Sequence, residues 1–189
     1  MTDSQISLPL SAPVPGTGRS NPGPARGGEA AAGPARSNPA FKMTVLGTPA
    51  PQGSKRHVGN GVMIESSKKV KPWREAVKHA AGELITDPGA PGRITTIGFP
   101  LDGPLLLEIC FTLHRPKSAP KKRHRPDRMP DLSKLIRSTE DALTDAGVWA
   151  DDARVVGVSA RKVYPHPHSG DPDALAMPGA VIRIWEITS

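Results

Sequence analysis

The sequence predicts an α/β (α+β) domain, a mixed β-sheet with two main helices packed on it, behind a disordered N-terminal leader. Three observations carry this. Segments with apolar side chains at alternate positions interleave with segments whose apolar side chains recur every three to four residues, in the order β-(β)-α-β-α-β-β. Proline and glycine concentrate at the start, with seven Pro and six Gly and no aromatic residue within residues 1–40. No run reaches the roughly 18 consecutive apolar residues that a membrane span needs.

Residues 1–42 form the leader, in which Gly23-Pro24-Ala25-Arg26 returns as Gly33-Pro34-Ala35-Arg36. Such a segment buries too little apolar surface to offset its ordering entropy. The domain follows at 43–189. Residues 43–47 read as a short strand running into the loop 48–56, and 61–64 as a hairpin return. Residues 69–85 read as a helix, because Val70, Trp73, Val77, Ala80, Ala81 and Leu84 share one side. Pro72 falls in the first turn, where proline is tolerated, and 87–92 is a breaker cluster. Residues 105–113 are the clearest strand, with Leu105, Leu107, Ile109, Phe111 and Leu113 on one face and Glu108 and Thr112 on the other. Residues 132–145 are the clearest helix, through Leu132, Leu135, Ile136, Thr139 and Leu143, with Gly147 as the stop signal. Two further strands are expected at 154–164 and 180–188.

Composition narrows the function. The chain has 25 Lys and Arg against 18 Asp and Glu, and an excess of positive charge suits a polyanion such as nucleic acid. One cysteine, Cys110, excludes an internal disulfide framework and any cysteine-cluster zinc site. Its apolar surroundings predict a buried, inert thiol. Asp3 stands where a secretory signal carries positive charge. These features predict a cytoplasmic protein. Trp73 and Trp185 are expected in the core, and His166 and His168 in an exposed proline-rich loop.

The charge is not evenly placed. Between His114 and Arg128 lie Arg115, Lys117, Lys121, Lys122, Arg123, Arg125 and Arg128, opposed by Asp127 alone. Pro116, Pro120 and Pro126 keep this run from forming a helix. Clustered cations of this kind release counterions from nucleic acid, although a solvated connection would look similar. Carboxylates border the loop. Asp131 precedes the second helix, where an aspartate is also a common N-cap. Asp151 and Asp152 precede a strand, where a turn role is the alternative. Acids amid phosphate contacts are what a phosphodiesterase needs to hold hard divalent ions, which activate water and stabilise the leaving oxygen.

The stretch from Pro130 to Val156, with Asp131-Leu-Ser133, then Asp141-Ala-Leu143, then Gly147-Val-Trp-Ala-Asp-Asp152-Ala-Arg-Val155, resembles the RusA family of Holliday junction resolvases. Lys55 and Arg56, in the loop Pro51-Gln-Gly-Ser-Lys-Arg56, fit the family layout less specifically. The resemblance implies a small homodimeric endonuclease that cuts four-way DNA by paired nicks with Mg2+ or Mn2+, of a type often carried by phages and prophages. It implies Asp131 and Asp152 as principal metal ligands, Asp151 as companion, and Arg137 as the basic helix residue. Lys134 or Arg137 would stabilise charge on the phosphate. Lys55, Arg56 and the basic loop would hold DNA backbone, and Trp149 would anchor the Asp151–Asp152 loop.

The chain departs from the family pattern at Ser133, where a second aspartate is expected. Ser133, Arg137 and Glu140 share one stripe of the helix at i, i+4 and i+7. Glu140 therefore either supplies the missing carboxylate or forms a surface pair with Arg137. Asp141, on the side of Lys134, is expected to be solvated or paired within its own helix. Two alternatives to a nuclease stay open. One is a non-catalytic DNA-binding protein on a RusA-like scaffold. The other is an RNA-binding module, which would leave the Asp151-Asp152 pattern unexplained.

Overall fold

The computed structural model describes residues 38–53, 55–57, 63–65, 68–86 and 98–187. Residues 1–37 and the breaker cluster at 87–92 lie outside the described residues. The elements are β1 (Phe41–Leu46), β2 (Lys55–His57), β3 (Met63–Glu65), α1 (Val70–Thr86), β4 (Leu105–Thr112), α2 (Leu132–Asp145), a 3-10 turn at Asp152–Arg154, β5 (Val155–Val163) and β6 (Gly179–Glu186). Apart from β2, this is the expected order. The first strand starts at Phe41, ahead of the expected 43. The short strand Lys55–His57, expected to be loop, pairs antiparallel with Met63–Glu65.

The main sheet has the order β1-β6-β4-β5. The last strand in sequence lies between the first and the fourth and runs antiparallel to both. β4 and β5 run parallel, so the sheet is mixed. A parallel pair needs a crossover, and α2 supplies it. The helix runs back along the β4–β5 pair, from the end where β4 stops to the end where β5 begins.

Alternation along the strands sends Phe41, Met43, Val45, Leu105, Leu107, Ile109, Phe111, Ile182 and Ile184 into one core with Trp73, Val77 and Ala81 of α1 and Leu135 and Leu143 of α2. Each such side chain contributes about 1.5–3 kcal/mol when fully removed from water. Trp73 cannot be buried without a partner for its indole N–H. It donates to Thr139 Oγ1 at 3.1 Å, and the Thr139 hydroxyl donates to Leu135 O at 2.9 Å.

The other sheet face carries charge. Arg161 of β5 donates to Asp171, Asp173 and Glu108, and Arg183 of β6 donates to Asp173 and Glu108. This network ties the segment between β5 and β6 to the sheet. Cys110 lies beneath it, fully buried, and burial pushes its thiol up to about 12. The expected inert thiol is what the structure holds.

Candidate active site

α2 sets the geometry, because the candidate residues flank its two ends. Its fourteen residues span about 21 Å at 1.5 Å per residue. At the N-terminal end sits Asp131, in the N-cap position but with no capping hydrogen bond from its side chain. Its carboxylate instead pairs with Lys134 Nζ at 3.4 Å. Both are half-exposed. The loop after β1 docks on the same end of the helix, with Gln52 N donating to Lys134 O and Ser138 Oγ donating to Ala50 O.

The C-terminal end is closed by a glycine. Gly147, at φ 74°, turns the chain so that Gly147 N reaches Thr144 O and Val148 N reaches Leu143 O. The paired bonds satisfy the last carbonyls of the helix, and the left-handed conformation is what favours glycine here. The turn delivers Trp149 into the core, where its indole N–H donates to Thr144 Oγ1 at 2.7 Å. Trp149 thus fixes the strand entry that presents Asp151 and Asp152. Asp151 accepts from Ala153 N at 2.8 Å, a turn-forming contact, while Asp152 is exposed.

Glu140 belongs to this C-terminal end. Burial raises its pKa above the ordinary carboxylate range, and the negative charge of Asp152 adds to the rise, with Asp141 after it; Arg137 opposes them. Asp152 is thus near enough to Glu140 for its charge to be felt. A half-buried carboxylate in the field of another carboxylate is less stable in its charged form. Arg137 is exposed, and among the described residues it forms no hydrogen bond or ion pair. Asp141 pairs with Arg74 of α1 at 3.2 Å, and Asp145 with the same guanidinium at 2.7 Å. This tie between helices replaces the solvated or intrahelical role expected for Asp141.

The candidate carboxylates therefore fall into two groups. Lys162, near the end of β5, donates to Pro130 O, so Asp131 lies beside the end of that strand. Asp152 lies before its start. The nine residues of β5 extend about 30 Å at 3.3 Å per residue. Two oxygens on one Mg2+ are no more than about 4 Å apart, given bonds of about 2.1 Å. Asp131 and Asp152 of one chain cannot share an ion. Among the described residues, no three His, Cys, Asp or Glu side chains group closely enough to hold a metal.

The basic loop leaves β4 at the Asp131 end. Arg115 is turned inward, donating to Ala119 O and Pro120 O and lying 5.7 Å above the Tyr164 ring, and Arg123 pairs with Asp127 at 3.3 Å. These two cations shape the loop. Lys117, Lys121, Lys122, Arg125 and Arg128 are exposed. The side chains of Lys55 and Arg56 lie outside the described residues.

Sequence reasoning missed Lys162. Its ammonium donates to Arg128 O and Pro130 O, each at 2.9 Å, and so holds the carbonyls just ahead of Asp131. The available signal was a lysine beside an arginine near the end of an otherwise apolar and small-residue strand.

Comparison with known families decides the identity. The family model described as Endodeoxyribonuclease RusA matches residues 47–168, which take in β4, the basic loop, α2 and β5. The chain belongs to the RusA family. RusA proteins are endodeoxyribonucleases, hydrolases acting on DNA, and the family indicates a Holliday junction-resolving enzyme with branched DNA as substrate. The family is generally dependent on a divalent metal. No curated protein matches the chain significantly. Among the described residues, no helix is long and apolar enough to cross a membrane.

Proposed function

We propose that this RusA-family chain is a metal-dependent endonuclease that resolves four-way DNA junctions by paired phosphodiester nicks, as a homodimer using Mg2+ or Mn2+. The observation that carries the reading is the family match over residues 47–168, inside which Glu140 feels the negative charge of Asp152. A half-buried carboxylate in the field of a second one is an unfavourable arrangement that a cation relieves. Oxygen ligands of this kind suit a hard divalent ion.

In this reading Asp152 and Glu140 are ligands, Asp151 shapes the turn that presents Asp152, and Asp131, at the far end of α2, joins a ligand set only from the other protomer of the homodimer. Arg137, unpaired and close enough to act on Glu140, neutralises charge building on the cleaved phosphate. Lys134 holds Asp131. Lys117, Lys121, Lys122, Arg125 and Arg128, with Lys55 and Arg56, take the DNA backbone, while Arg115 and Arg123 keep the loop in shape.

The test is strand nicking of a synthetic four-way junction with Mg2+, with Mn2+ and with EDTA. Cleavage is expected with either metal and none in EDTA, and Asp152→Asn is expected to bind the junction without cutting it. Cleavage in EDTA, or normal cutting by Asp152→Asn, refutes the reading. A second reading, a DNA-binding scaffold without activity, is favoured by one observation, the neutral Ser133 at the family's second aspartate. Tight junction binding with no cleavage in either metal would select it.

A further inference from the structure

A cleft of about 420 Å³ opens at the far end of β5, between the basic loop and the segment that joins β5 to β6. The loop contributes His124 and Arg125, the strand Arg161 and Lys162, and the joining segment His168, Ser169 and Asp171. Asp171 is committed to Arg161, whose Nε it meets at 2.7 Å, so these two charges offset each other. Nothing offsets the others. Among the described residues, no carboxylate pairs with His124, Arg125, Lys162 or His168. His124, Arg125 and His168 are exposed, and Lys162 is half-buried. Two of the three ammonium donors of Lys162 go to Arg128 O and Pro130 O at 2.9 Å each, which leaves one for a ligand. The Ser169 hydroxyl accepts from Asp171 N at 3.1 Å and keeps its own proton to donate.

Free donors and unopposed positive charge in one concavity suit an anion. The lining includes no Phe, Tyr or Trp, so a base has no aromatic platform on which to stack. A phosphate, by contrast, meets a cation or a donor from each wall. Lys162 fixes where that phosphate lies, because the same ammonium holds the carbonyls on either side of Met129, directly ahead of Asp131. We propose that the cleft seats a backbone phosphate of the DNA strand that passes Asp131, held by Lys162, Arg125 and the Ser169 hydroxyl and gripped more tightly once His124 and His168 are protonated. Histidine changes charge between about pH 5 and 8, and an imidazolium donates from both nitrogens to a phosphate. Binding to DNA through the cleft therefore strengthens as the pH falls. Only Arg125 of these residues belongs to the basic run 115–128 as a cation; the histidine loop supplies the second wall. The inference deepens the proposed function and rests on branched DNA being the substrate.

Junction binding by the full-length chain tests it, read by fluorescence anisotropy in EDTA at pH 8 and pH 5.5. The double variant His124→Gln/His168→Gln is expected to match wild type at pH 8 and to bind severalfold more weakly at pH 5.5. Its log–log salt slope at pH 5.5 should be shallower than that of wild type by about one unit for each cleft occupied. His166→Gln, at an exposed position of the same segment but outside the cleft, is expected to follow wild type at both pH values. A junction carrying one neutral methylphosphonate, moved along the strand, gives a second readout. One position is expected at which the substitution weakens wild type at pH 5.5 and leaves the double variant unchanged. A double variant that tracks wild type at both pH values, an equal loss at both, or no such methylphosphonate position overturns the proposal. If wild type still cuts the junction in Mg2+, that result removes the cleft alone; a wild type that neither binds nor cuts the junction removes the proposed function with it.

Discussion

Replacing Arg161 with methionine removes the hub of the ionic network on the open sheet face. Arg161 makes four charge-assisted hydrogen bonds, two to Asp171 and one each to Asp173 and Glu108. Its loss leaves those carboxylates with Arg183, which reaches Asp173 and Glu108. Removing one partner from a fully buried ion pair costs about 3–5 kcal/mol. Arg161 is 35% exposed, against 20% for Asp171 and 13% for Asp173, so water screens part of that, and about 2–3 kcal/mol is expected. For a domain of this size the melting temperature should fall by about 4–12 °C. The pH dependence is diagnostic. Arg161 holds Asp171 below the usual carboxylate range, and Arg183, then Arg161, do the same for Asp173. Their stabilisation is complete above the unfolded carboxylate pKa of about 3.9 and is lost as pH falls through the depressed folded values. Urea unfolding should therefore show a large difference between wild type and Arg161→Met at pH 7 and a much smaller one near pH 2.5. Equal destabilisation at both pH values would mean that packing, rather than charge, is what Arg161 supplies, and would refute the reasoning.

Glu140→Gln should lower cleavage by orders of magnitude, yet raise stability at pH 7, measured by thermal melting. Burial and Asp152 raise the folded pKa of Glu140, so the charged form opposes folding above that value; the gain should vanish once the pH is low enough to protonate glutamate in both states. Changing Lys121, Lys122 and Arg125 together to alanine should weaken junction binding and reduce its log–log salt slope by about one unit for each phosphate that is no longer neutralised, as read by fluorescence anisotropy at several salt concentrations. Leu135→Ala, at a fully buried position of α2, should cost about 2–5 kcal/mol in urea unfolding.

Much of this was written locally. α2 and β4 follow their expected bounds nearly residue for residue, because their apolar periods are strong and each buries against one continuous core. The functional motif was legible for the same reason, as a run of types and spacings around the helix. What the run conceals is distance. Asp131 and Asp152 are close neighbours in a motif, yet a straight helix lies between them. Glu140 could be placed on the stripe of Ser133 from helix arithmetic, but the Asp152 charge that it feels arrives from a turn twelve residues later. The Arg161–Arg183 network was invisible because two of its carboxylates, Asp171 and Asp173, sit in an irregular segment, and nothing in their spacing says that they fold back onto β4, β5 and β6.

The position of β6 bears on how the molecule is made. Of the described strands, the one that joins β1 to β4 is made after the other three of its sheet, and among them β1 pairs only with it. The β4–α2–β5 crossover can form earlier, since its contacts are nearer in sequence. A nascent chain paused between β5 and β6 would expose the apolar faces of two unjoined edges at once, the state most prone to pairing with a neighbouring chain. Stop codons placed before Gly179 should accordingly yield insoluble protein rather than a smaller working domain.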